Sequence, residues 1–198
     1  MWRRSLTRRS SAAALFVLAL AAGCGSKSES HVISVSGRIG PLQVDHSDRA
    51  AVIHFAGPPS AERNGRYGGA PPYRALGYDC SPSGARETVP LGAGGPYCRT
   101  AFFLARNTGK LAVFFTTSRE YSESHGVDLG MSQAAAERRL RRRLTVGCTT
   151  ALYFSTGTAA LSISFGGGIE HGTSIEGARV DAFVVHGIGH DPDIFDCL

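Results

Sequence analysis

The C-terminal stretch His186-Gly-Ile-Gly-His190-Asp191-Pro-Asp193, with Asp196 beyond it, gathers the most metal-ligating side chains in the sequence. Imidazoles and carboxylates suit zinc or similar ions. Gly187, Gly189 and Pro192 oppose the helix that would bring both histidines to one face, so the stretch reads as a polar tail and no metal site is assigned. A second group is basic: Arg138, Arg139, Arg141, Arg142 and Arg143 follow Glu137. On a helix, Ala136, Leu140 and Leu144 make an apolar stripe and the arginines take the other faces. Such a helix is either a solvated face packed on a sheet or a surface for anionic headgroups and wall polymers. A third group is Tyr67, Tyr73, Tyr78 and Tyr97 with Arg63, Arg66 and Arg74, set among glycines and prolines. Tyr and Arg in that setting form recognition surfaces at low entropic cost, or plug a loop onto the fold. The binding residues expected from these groups are Tyr67, Tyr73, Arg74, Arg138, Arg139 and Arg142.

Signatures of catalysis are missing after residue 23. There is no Gly-x-Ser-x-Gly elbow, Walker A run, Gly-x-Gly-x-x-Gly, His-Glu-x-x-His or Ser-x-x-Lys. No catalytic residue and no cofactor is assigned, although a triad is defined by geometry and can be built from distant residues.

The first 23 residues read as an export signal: Arg3, Arg4, Arg8 and Arg9, then an apolar run over 12–22 too short to span a bilayer. Leu20-Ala21-Ala22-Gly23-Cys24 resembles the lipobox of bacterial lipoproteins, with Ala21 where that family usually has Leu. The resemblance implies palmitate-type acyl chains on Cys24 and attachment to the extracytoplasmic face of the cell membrane, followed by a short tether over 24–31. Without Cys24 the five cysteines become four (Cys80, Cys98, Cys148 and Cys197), enough for two disulfides in an oxidising compartment and open to three connectivities. The formal charge of +5 also changes. Four of the 21 basic residues lie in the signal, leaving 17 against 16 acids. A nucleic-acid partner is not indicated.

The elements that position these residues read as α+β. A strand is expected over 31–36, and a helix over 48–56 capped by Ser47. Nine glycines and seven prolines over 57–99 predict a long loop with only 73–78 strand-like. Apolar runs flanking Asn107-Thr108-Gly109 predict a hairpin. A helix over 133–145, a hairpin over 150–165 and a strand over 179–186 follow.

Cys98-Arg-Thr-Ala-Phe-Phe-Leu parallels Cys148-Thr-Thr-Ala-Leu-Tyr-Phe, each followed by Thr-Gly and an apolar strand. This suggests a tandem duplication, with units over 32–118 and 119–198 forming one compact domain. One bridge per unit would then pair Cys80 with Cys98 and Cys148 with Cys197. Gly130-Met131-Ser132 opening a helix, a cysteine soon after it, an antiparallel sheet and a tandem copy resemble the secreted beta-lactamase inhibitor proteins and the SmpA-like outer-membrane lipoproteins. That resemblance implies a non-catalytic binding module. The expectation is a membrane-anchored interaction module at the cell envelope, with a possible protein partner there. The alternative is a small envelope hydrolase or metal-binding protein using the C-terminal cluster.

Overall fold

The computed structural model describes residues 31–66, 72–83, 88–92, 94–141, 151–166 and 177–190, with backbone alone at 151–154. The alternating stretch at its start makes only a two-residue strand, β1 (Val32–Ile33). Ser34 N donates to Arg38 O at 2.9 Å and Gly37 takes φ +85°, turning the chain back into β2 (Arg38–Ile39) and β3 (Leu42–Gln43). Helix α1 (Arg49–Ala56) then starts one residue later than expected. Its cap is Asp48, whose carboxylate accepts from Ala51 N at 3.0 Å, while Ser47 Oγ accepts from Gln43 N instead. Gly57, at φ +80°, closes α1 by donating to Ile53 O.

The segment 57–99, expected to be strand-like only over 73–78, also holds two further strands, β4 (Ala61–Gly65) and β6 (Val89–Pro90), besides the expected one, β5 (Tyr73–Ser81). β4 has the polar sequence AERNG, yet it pairs along β5 from Ala61↔Gly77 to Gly65↔Tyr73 as a sheet edge. Edge strands tolerate polar residues because one flank has no neighbour to satisfy. The predicted hairpins are present as β7 (Tyr97–Ala105) with β8 (Leu111–Thr116), and β10 (Ala151–Ser155) with β11 (Ala159–Gly166). Between them lie β9 (Ser122–Glu123) and α2 (Gln133–Leu140); β12 (Arg179–Gly187) ends the described fold. Arg141 takes a left-handed φ of +51° and caps α2 there, which is short of the expected residue 145.

The large sheet runs β10-β11-β12-β8-β7-β5-β4, with β6 also on β7, and is antiparallel throughout. A small sheet runs β3-β2-β1-β9, in which β1 and β9 are parallel. Each helix thus precedes an antiparallel run of strands, and the two runs meet where β8 pairs with β12. The strands matched by sequence do not hold matching places: β7 adjoins the central pair, whereas β10 forms an edge. Gly130-Met131-Ser132 ties α2 to β12, since Gly130 N donates to Val180 O and Val180 N to Met131 O.

Both faces of the large sheet are buried over its central strands. One core, under α1, α2 and the small sheet, includes Ile33, Val52, Leu76, Phe102, Phe114, Ile163 and Phe183. The other includes Tyr73, Leu91, Phe103, Val113, Phe115 and Val184. This explains why TAFFLA and LAVFFT are continuous apolar runs: side chains on alternate residues meet opposite cores, and both are dry. The Cys80–Cys98 disulfide joins directly opposed residues of β5 and β7. It is the one bridge among the described residues; Cys148, Cys197, Cys24 and the signal lie outside them.

Candidate functional site

Alternation along β5 separates two of the expected binding residues. Tyr73 turns into the second core, is 1% exposed and meets the Phe103 ring nearly edge-on at 6.0 Å. Arg74 points to the other face, where it is exposed. Register places Asn64, Arg74 and Leu104 in one row across β4, β5 and β7. Glu62 lies two residues from Asn64 and therefore on the same face of β4. α1 supplies Arg49, and Arg106 comes from the turn after β7. Arg49, Asn64, Arg74, Leu104, Arg106 and Gly109 line an open recess of about 370 Å³.

Glu62 is the anionic hub of this edge. Arg49 Nη2 donates to its Oε2 at 2.9 Å, and Arg74 Nε donates to its Oε1. The Arg49 bond, then that from Arg74, holds the Glu62 carboxyl below its ordinary range, although partial burial opposes the shift. Glu62 in turn raises Arg49. Arg49 Nε is buried and has no hydrogen-bond partner among the described residues. Two guanidinium groups therefore share one carboxylate, Arg106 adds a third at the recess wall, and the recess keeps a net positive charge. Guanidinium forks match the oxygen pairs of carboxylates and phosphates. Sequence reasoning found Arg74 but missed Arg49, Asn64 and Arg106, which come from separate segments joined only by strand register.

Tyr73, Arg138 and Arg139 do not line this recess. Arg138 and Arg139 are exposed on α2, with Arg139 Nη1 lying over Gly126. Tyr67 and Arg142 lie outside the described residues. In the C-terminal cluster His186 is buried, with Nδ1 3.1 Å from Gly187 O. His190 Nε2 stands 3.5 Å from Asp45 Oδ1. No group of three or more potential metal ligands occurs among the described residues; Asp191, Asp193 and Asp196 fall outside them.

A Ser-His-Glu grouping that the sequence did not suggest occurs at β9. Buried Glu123 accepts from His125 N at 2.6 Å, and its Oε1 stands 2.8 Å from His125 Nδ1. Ser124 Oγ donates to the same carboxylate and lies 3.4 Å from the same ring nitrogen. A nucleophile needs the opposite nitrogen, Nε2, so this geometry braces a turn and does not activate Ser124.

No family model and no curated protein matches the chain. Among solved structures, an extracellular protein containing a SCP domain from Bacillus anthracis str. Ames is similar at a TM-score of 0.39 and 9% identity. The match covers 71% of this chain and 43% of that one, so the chain spans less than half of that protein's length.

Proposed function

We propose that the protein is a lipid-anchored, non-enzymatic binding module of the cell envelope, and that its arginine recess takes anionic groups. The observation that carries this reading is the convergence of Arg49, Arg74 and Arg106 on one concave sheet edge with Glu62 as sole counter-ion in the described site. Anchoring rests on the lipobox-like sequence before Cys24. Export is supported by the Cys80–Cys98 bridge, because such bonds persist in oxidising compartments. The tandem origin and a second bridge, Cys148–Cys197, belong to the same reading. Envelope anions carry either phosphate or carboxylate, and the recess suits both by chemistry.

The test is titration of the purified protein with a phosphate polymer and with a carboxylate polymer at low and high salt. Salt-sensitive binding that falls roughly tenfold in Arg106→Gln, with an unchanged melting temperature, is expected. An affinity of Arg106→Gln equal to that of wild type for both polymers would remove the recess from the reading.

A further inference from the structure

A second recess, of about 420 Å³, lies beyond the C-terminal end of α1, over the ends of β5 and β7 and the segment leading to β9. Its walls are aromatic: His31, Phe55, Tyr78 and Tyr121. The His31 ring lies 6.0 Å from Phe55 and 5.2 Å from Tyr121, the latter edge-on at 82°. These rings are held from behind by the first core. Tyr121 packs 5.1 Å from Phe114, and Tyr78 packs 5.6 Å from Phe102. The Tyr78 hydroxyl donates to Gly57 O at 3.0 Å, which fixes that ring against the end of α1. Burial pushes the Tyr78 hydroxyl up to about 12 and also raises Tyr121, so both rings remain neutral phenols; Tyr121 is itself buried and backs the His31 ring.

The charged groups of this recess are acidic. Asp79 and Glu120 line it, both are exposed, and neither forms a salt bridge among the described residues. Asp79 takes φ +55°, in the left-handed region that Asp enters more readily than most side chains. No lysine or arginine lines the recess among the described residues. Arg49, the cation that acts on Tyr78, is already held by Glu62. Aromatic faces attract a cation through the ring quadrupole, and they desolvate alkyl groups on nitrogen better than carboxylates do. Carboxylates at the mouth supply the missing countercharge.

We propose that this recess binds an organic ammonium ion, with the rings taking the alkylated nitrogen and Asp79 and Glu120 providing the opposite charge. The site is separate from the arginine recess and takes ligands of opposite sign, so either reading can fail alone.

The experiment is calorimetric titration of the purified full-length chain with choline and with dimethylbutanol, its uncharged carbon isostere. Choline is expected to bind at least tenfold more tightly, and the double variant D79N/E120Q to lose that advantage while keeping the wild-type melting temperature. A short-chain phosphatidylcholine below its micelle threshold distinguishes the source: tighter binding than choline assigns a lipid headgroup, weaker binding a free amine. No choline binding, equal affinity for choline and its isostere, or an unaffected D79N/E120Q variant would each overturn the proposal. Phe55→Ala, at a half-buried wall position, gives a second reading and should weaken choline binding in a protein that still melts cooperatively.

Discussion

In the proposed reading Glu62 occupies the position that an external anion would take, and its protonation would therefore couple stability to binding. Its folded-state acidity is raised by Arg49 first and Arg74 second, so its pKa lies below the value of 4.5 for the free side chain. A depressed carboxylate stabilises the folded state above its unfolded pKa, and that contribution is lost as pH falls through the folded pKa. Glu62 is 27% exposed and its partners about half exposed, so solvent screening limits the contribution to about 1 kcal/mol. In Glu62→Gln the acid loss of stability should be smaller than in wild type, read as the difference between melting temperatures at pH 7 and below pH 4. Asp48 is also depressed, mainly by the Ala51 N–H, and titrates in both proteins, so only the difference reports on Glu62. The same variant should bind phosphate polymer more tightly at pH 7, because two guanidinium groups lose their internal partner. Unchanged binding would mean that Glu62 does not occupy the ligand position. Arg74 was legible as a polar residue in a recognition-like stretch. Arg49 was not, since within its helix it looks like any solvated arginine and becomes a site residue only when β4 brings Glu62 beneath it.

Elements were legible wherever one local rule was sufficient. Asn107-Thr108-Gly109 between apolar runs marked the β7–β8 hairpin, and Gly109 does take φ +70°. Strand β4 was invisible because its sequence has neither alternation nor apolar weight, and its existence depends on pairing with β5. The glycine count over 57–99 misled because one of those glycines is strand interior: Gly77 sits opposite Ala101, where a side chain would meet the disulfide. A Cβ at Gly77 would overlap Cys98 Sγ and stand 2.8 Å from Cys80 Sγ. Gly77→Ala should therefore cost about 1–3 kcal/mol by overpacking. Replacing both cysteines by Ala removes a bridge spanning 18 residues and should cost roughly 3 kcal/mol in the chain-entropy account. The two changes share atoms, so they should not add: Gly77→Ala should cost less once the sulfurs are gone, the remaining overlap being with Leu91 Cδ1. Denaturant midpoints of the four proteins in this cycle measure the coupling, and additive costs would show that the glycine makes room for Leu91 and not for the bridge.

At the scale of the molecule, the sequence suggests two similar units, while the large sheet joins them into a single hydrogen-bonded surface. β12 pairs with β8 from Phe183↔Thr116 to His186↔Val113, so the final strand of the second run completes the sheet of the first. The first core draws Val52, Leu76 and Phe114 from one run and Ala136, Ile163 and Phe183 from the other. Neither run keeps a closed core when separated, since each would expose an apolar sheet edge and half of that cluster to water. The repeat signal could not reveal this, because sequence similarity identifies like strands and is silent on which edges meet. The proposed anchoring is tested at this scale as well: Cys24→Ser should move the protein from the membrane to the soluble fraction and abolish labelling by radioactive palmitate. The joined sheet leads to a sharper expectation for folding. Chemical denaturation followed by far-ultraviolet circular dichroism and by tyrosine fluorescence should give one coincident transition. Fragments 31–118 and 119–190 expressed separately should lack cooperative melting, and mixing them should restore it if β8 and β12 can pair across chains. A folded isolated fragment, or two resolved transitions in the whole chain, would show that each unit is stable alone and that the β8–β12 junction is a docking contact between two domains.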